Sequence, residues 1–137
     1  MADIIRIVDY FKVMAPDKPG EGARILSALR DAGINLLAYN GFPRAGRAQL
    51  DFVPENSAAF LNTMKQARIR VGGPKKGFLI QGEDRVGAIA EITAKLAQAK
   101  INVTALHAVT GGERRYGAIL WVKPPSVKKA AKVLGAS

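Results

Sequence analysis

Two short stretches of this chain carry the residue types from which a binding site is built. Asp17-Lys18-Pro19-Gly20 and Asp84-Arg85-Val86-Gly87 each set a glycine three positions after an aspartate, just ahead of an apolar run at helical spacing. Helix N-termini leave backbone N–H groups without intrahelical partners, and the aligned peptide dipoles make that end partially positive. A glycine there lets main chain approach a guest with no Cβ in the way, so a carboxylate or phosphate fits such a corner. The dipole contributes about 0.3–1 kcal/mol, and charge-assisted hydrogen bonds roughly 1.5–3 kcal/mol each. Less the cost of immobilisation, that points to affinities on the order of micromolar to millimolar. The same residues also fit a plainer reading, in which Asp17 and Asp84 cap their helices and the glycines make tight turns.

Asn35 and Asn102 are the companions of these turns, each between apolar neighbours just after the helix that follows. An amide offers both donor and acceptor, which suits the ammonium and carboxylate of an amino acid. A turn-forming asparagine that satisfies local backbone is the alternative. Arg24, Arg44 and Arg85 are further candidate anion partners. Nothing resembles a catalytic constellation. His107 is the single histidine, there is no cysteine, and the serines Ser27, Ser57, Ser126 and Ser137 lie in no nucleophile-elbow context. Neither a thiolate nor a His-rich metal site is available, no cofactor is called for, and the carboxylates are too dispersed for an acid–base pair. The expectation is a protein that is not an enzyme.

The elements that must position these residues recur with them. Ile25, Leu29, Ala32, Ile34 and Asn35 return at one fixed offset of 67 as Ile92, Leu96, Ala99, Ile101 and Asn102. Ile4 to Met14 reads as a strand, Ile25 to Ala32 as a helix stopped by Gly33, then Ile34 to Gly41 and Arg47 to Val53 as strands. A helix capped by Asn56 or Ser57 carries Phe60, Leu61, Met64 and Ala67 inward, and Arg68 to Val71 reads as a closing strand. The order is β-α-β-β-α-β, the split βαβ arrangement of ferredoxin-like folds. After Gly72-Gly73-Pro74 the series restarts. Lys76 to Gly82 is a strand, Ile89 to Ala99 a helix, and Ile101 to Val109 and Tyr116 to Lys123 are strands joined at Thr110-Gly111-Gly112-Glu113. A last helix buries Val127, Ala130, Ala131 and Leu134.

The predicted fold is therefore α+β: two ferredoxin-like βαββαβ modules side by side, with antiparallel sheets and helices on one face. The modules are residues 1–73 and 74–137, and the second lacks its own last strand. The first strand is longer than the average of about 5–6 residues, so its start, near Ile4 to Val8, is expected to supply the pairing that the second module cannot make.

With these turns, helices and asparagines in view, the chain resembles the ACT domain family, as a tandem pair without an attached enzyme. The resemblance rests on Asp17, Gly20, Gly33, Ile34 and Asn35 and on their echo Asp84, Gly87, Ile101 and Asn102. It implies regulatory modules that bind amino acids at the first turn and second strand. The ligand-binding residues carried over are Asp17, Lys18, Pro19, Gly20 and Asn35, with Asp84, Arg85, Val86, Gly87 and Asn102. Lys100 stands where the first copy has Gly33, so the helix exits are expected to differ and the two sites need not be equivalent. The output would pass through module packing or oligomerisation to a regulated enzyme or protein partner, and a homodimer is expected.

Composition narrows the rest. The chain has 137 residues, 48% of them hydrophobic and 23% charged, as in ordinary globular proteins. No apolar run approaches the roughly 20 residues of a membrane span, and the N-terminus does not read as a secretory signal, so the expected location is the cytoplasm. The net charge of +10 leaves one alternative function, a nucleic-acid-binding protein using a basic surface on a ferredoxin-like fold. Arg68, Arg70, Lys75 and Lys76 cluster mid-chain, and Lys123, Lys128, Lys129 and Lys132 near the C-terminus. Against this, the RNA-binding signature requires stacked aromatics on the middle strands, and Lys76-Gly77-Phe78-Leu79-Ile80 matches only its first three letters and lies on a first strand.

Overall fold

The computed structural model describes residues 3–137. Its strands are β1 (Ile4–Pro16), β2 (Leu36–Arg44), β3 (Arg47–Pro54), β4 (Gly72–Glu83), β5 (Ala105–Gly112) and β6 (Arg115–Trp121). Its helices are α1 (Glu21–Asp31), α2 (Ser57–Gln66), α3 (Ala88–Gln98) and α4 (Val127–Leu134), the last entered through a short 3-10 turn at Pro124–Ser126. Among the described residues, no helix is long and apolar enough to cross a membrane.

The chain forms two compact units, Asp9–Lys75 and Lys76–Ser137, the latter together with the N-terminal stretch that ends at Val8. This corrects the cut at Gly73. Both long strands are divided between the units, because each unit needs a fourth strand beside its first. In the first unit the hydrogen-bonded order is β2-β3-β1-β4, and in the second it is β1-β4-β6-β5. Ile4–Val8 thus takes the place that the second unit cannot fill from its own sequence. Gly72–Lys75 does the same for the first unit, in place of the expected closing strand at Arg68–Val71. The Gly72-Gly73-Pro74 run is therefore strand rather than linker. A Cβ at Gly73 would come within 2.9 Å of the Tyr10 carbonyl oxygen, so this glycine is what lets β4 lie against β1.

In each unit one sheet face packs under two helices. Phe11, Val13, Leu50 and Phe52 from the sheet meet Ile25 and Leu29 of α1 and Phe60 and Met64 of α2 in the first core. Phe60 lies with its ring centroid 5.2 Å from Phe11 and 5.4 Å from Phe52. In the second, Ile5, Phe78, Ile80 and Leu120 meet Ala88, Ile92 and Leu96 of α3 and Ala130 and Leu134 of α4. The apolar spacing of all four helices is the reason they turn these residues inward. Register preserves the repeat. Phe11 stands opposite Phe52, and Phe78 opposite Leu120.

All four helices stop in the same way. The amides of Ile34, Ile69, Ile101 and Ala136 reach back to the carbonyls of Leu29, Met64, Leu96 and Ala131, each at 2.9 Å. The residue before each is left-handed: Gly33, Arg68, Lys100 and Gly135. Lys100 thus adopts the conformation of Gly33 instead of changing the helix exit, at the steric cost a Cβ incurs there. Asn56 caps α2 as expected, its side chain accepting from the Ala59 amide at 3.0 Å. The second hairpin turns at Glu113 and Arg114, both at positive φ, two residues later than the sequence suggests.

Two outcomes follow. Deleting residues 1–7 should strip hydrogen-exchange protection from β4 and β6 in the second unit, and unchanged protection there would contradict the strand assignment. Lys100→Gly should raise the unfolding free energy by about 0.5–1 kcal/mol, since it relieves a left-handed side chain. Chemical denaturation measures it.

Candidate functional site

Each helix that follows a first strand begins at a left-handed glycine. Gly20 has φ +92° and Gly87 φ +81°, and each occupies the N-cap position itself. The plainer reading of the aspartates, as caps, is not what the chain does. The cap is glycine, and Asp17 and Asp84 stand three residues ahead of it, exposed. The first-turn amides of Gly22 and Ala23 in α1, and of Ile89 and Ala90 in α3, have no intrahelical acceptor.

At the start of α3 the turn borders a hollow of about 310 Å³. Its walls are Asp84, Arg85 and Gly87 from the turn, Ala88, Ile89 and Ala90 from the first turn of α3, Ala108, Val109 and Thr110 from β5, and Tyr116 from β6. The hairpin is near because the Asp84 amide donates to the Arg114 carbonyl at 2.7 Å, pinning the turn to the β5–β6 connection. One wall is apolar, one carries the first-turn amides of α3, which have no intrahelical acceptor, and the exposed Asp84 is among the lining residues.

Arg85 is committed to its neighbours. Its guanidinium meets the Asp3 carboxylate at 3.2 and 3.3 Å, the Glu83 carbonyl at 3.1 Å and Glu91 at 2.6 Å. The two carboxylates hold Arg85 more firmly protonated than usual, and Arg85 draws Glu91 below its ordinary range. Burial alone would raise the Asp3 carboxyl, but the Arg85 fork and the nearby Tyr116 hydroxyl outweigh it and hold Asp3 low. The Tyr116 ring and the Asp3 carboxylate both lie over Gly82. Burial, and then the negative Asp3 beside it, push the Tyr116 hydroxyl up to about 12. Tyr116 is only 6% exposed, and its buried oxygen makes no aligned hydrogen bond among the described residues.

The structure gathers Asp84, Arg85 and Gly87 at this hollow. Val86, at the apex of the turn, is fully exposed and does not line it. Neither asparagine joins its glycine. Asn35 and Asn102 follow the C-termini of α1 and α3, a helix of 11 residues away, or about 16 Å at 1.5 Å per residue. Asn35 instead donates to Glu55 at 3.0 Å and accepts the Glu55 amide at 2.9 Å, closing the exit of α1 onto the end of β3. Asn102 lies exposed between α3 and β5. Asp17, Lys18, Pro19 and Gly20 form the exposed turn before α1. Arg24 meets Glu21 at 3.1 Å and Arg44 meets Gln49 at 3.0 Å, so neither stands uncommitted. His107 sits on the exposed β5, with its ring 6.3 Å from Trp121 and edge-on to it. It faces away from its neighbour Leu106, which packs on the core, as successive strand residues do, and β5 begins at Ala105 rather than at Ile101.

Residues 108–110 and Tyr116 are the contributors that sequence reasoning missed. Their only signal is topological, since the hairpin ends beside the turn.

Asp3 supplies a pH test with a definite sign. A carboxyl held low in the folded state stabilises it above the unfolded value, near 3.8, and loses that effect as pH falls through the folded value. Stability of the second unit should therefore fall below about pH 4, and Asp3→Asn should flatten that fall. Parallel acid-unfolding curves for the two proteins would contradict the assignment.

No protein-family model matches the chain, and no curated protein matches it in sequence. Solved structures do. Protein BT0572 from Bacteroides thetaiotaomicron superimposes with a TM-score of 0.83 at 14% identity, over 96% of this chain and 88% of that one. Aspartokinase alpha and beta subunits give 0.65 at 22% identity, over 96% and 94%. The ligand-free regulatory subunit of aspartate kinase from Thermus thermophilus gives 0.62 at 18%, over 96% and 94%. Likeness at such identities concerns fold alone, and on that basis the chain has an ACT-like, ferredoxin-type α+β fold, similar to that of aspartate kinase regulatory subunits.

Proposed function

We propose that the chain is a regulatory protein that binds a small molecule, and that the ligand is an amino acid held at the start of α3. The observation that carries this reading is the hollow itself, whose volume of about 310 Å³ is at the small end of ligand sites. The charges around it suit a zwitterion. The carboxylate would meet the Ile89 and Ala90 amides at the positive end of the helix, and the ammonium would meet Asp84. Ala88, Ile89, Ala108 and Val109 would take an apolar side chain.

The fold supports the reading by likeness, since two of the similar structures are aspartate kinase proteins, one of them a regulatory subunit. Output would follow from the ligand's preference for one packing or association state of the chain over another, and a homodimer is the simplest assembly that could report it.

Thermal-shift screening against the twenty amino acids tests this. One or a few should raise the melting temperature, by the equivalent of about 2.7 kcal/mol at a hundredfold excess over Kd. Asp84→Ala should weaken that shift at least tenfold in ligand concentration, while moving unliganded stability by no more than about 0.5 kcal/mol, as expected of an exposed residue. No shift with any amino acid, with steeply salt-dependent RNA binding instead, would favour the nucleic-acid alternative.

A further inference from the structure

The twin turns differ in what lies over them. In the first unit Tyr39 on β2 packs against Phe52, ring centroids 5.2 Å apart and planes tilted by 55°, and its hydroxyl reaches the first turn of α1. A Cβ added at Gly22 would lie 3.4 Å from that oxygen, and one at Gly41 would lie 3.5 Å from it. The end of the ring thus runs between Gly22 and Gly41. Burial raises the Tyr39 hydroxyl above its ordinary range, as expected of a phenol held against protein.

Register identifies the counterparts in the second unit. Tyr39 stands opposite Phe52 and Gly41 opposite Leu50, while Leu106 stands opposite Leu120 and Ala108 opposite Ala118. Since Phe11–Phe52 and Phe78–Leu120 are the matching ladder pairs, Leu106 replaces Tyr39 and Ala108 replaces Gly41. Along the helices, at the fixed offset of the repeat, Ile89 replaces Gly22. The hollow is lined by Ile89 and Ala108, whereas their counterparts are two glycines with a phenol laid across them.

We infer that the chain takes one small carboxylate-bearing ligand, at the α3 corner, and that Tyr39 occupies the α1 corner as a built-in substitute for a second. This rests on reading the α3 hollow as an amino-acid site. Tyr39 is then the residue that makes a duplicated protein bind asymmetrically, and removing its ring should expose a second corner.

Backbone amide NMR of the full chain, titrated with acetate and with each of the twenty amino acids, tests it. In the wild type the Ile89 and Ala90 resonances should move while those of Gly22 and Ala23 stay. Tyr39→Leu should bring Gly22 and Ala23 into the response and raise the stoichiometry from one ligand per chain to two. Tyr39→Phe, which keeps the ring, should behave as the wild type. Wild-type movement at both corners, or Tyr39→Leu movement at α3 alone, would overturn the inference while leaving amino-acid binding intact. No movement at either corner of the wild type with any probe would overturn both. The amide spectrum shows directly whether Tyr39→Leu is folded, and should it not be, the wild-type pattern decides.

Discussion

A βαββαβ unit of this size stands or falls on the outer edge of its first strand. That strand is central to the core, so an unpaired side would leave a row of amides and carbonyls open to water or to another chain. In both units the edge is closed by residues from outside the local series, Ile4–Val8 against β4 and Gly72–Lys75 against β1. This explains why β1 and β4, at 13 and 12 residues, run to about twice the usual strand length. Each does two jobs, as the first strand of one unit and the fourth of the other. The last residue adds to the closure. Ser137 donates to the Ile5 carbonyl at 3.2 Å and accepts the Ile7 amide at 2.9 Å, on the β1 stretch that carries Ile5 into the second core.

With the backbone thus fixed, the two helix starts become nearly superimposable in conformation and different in content. The glycine N-caps, the preceding aspartates and the Schellman exits all repeat. What has diverged is the surface above each first turn, where Tyr39 with Gly22 and Gly41 replaces Leu106 with Ile89 and Ala108. Duplication supplies two frames at no extra folding invention, and a few side chains then decide what each frame holds. The first-turn amides of each frame have no intrahelical acceptor whatever side chains stand above them, because that follows from the backbone alone.

How far this was legible in the sequence depended on range. The helices announced themselves through Ile25, Leu29, Ile92 and Leu96, because a 3.6-residue period is local information. Asn56 as a cap was legible for the same reason. Even the borrowed strand could be argued, from a missing fourth element and an overlong first one. Gly72-Gly73-Pro74 misled, since a glycine needed for close strand approach looks the same in sequence as a glycine in a linker. Lys100 misled in the opposite sense, because a tertiary demand for a left-handed residue overrides the preference for glycine. At the site, Gly87 and Asp84 were visible as a turn motif, but Tyr116, Ala108 and the Tyr39 obstruction depend on cross-strand register, and no short window contains them. Asn35 and Asn102 repeat so faithfully that they invited a ligand role. In each unit, though, they sit past the far end of the helix from the glycine, and Asn35 has Glu55 to satisfy it.

The borrowed strand and the hollow are joined through one ion pair. Asp3 lies immediately ahead of the stretch that completes the second sheet, and its carboxylate takes the fork of Arg85 from the site turn. Arg85 in turn reaches Glu91 on α3, so the turn is tied to the helix it precedes and to the strand borrowed from the N-terminus. An unpaired guanidinium at that point would compete with the helix amides for an incoming carboxylate. Neutralised by two acids, it shapes the wall and leaves the amides as the available donors. The segment recruited to close a sheet edge therefore also brings a counter-ion to the turn that borders the hollow. Separating Lys76–Ser137 from the first residues would cost the second unit its fourth strand and its Arg85 partner together.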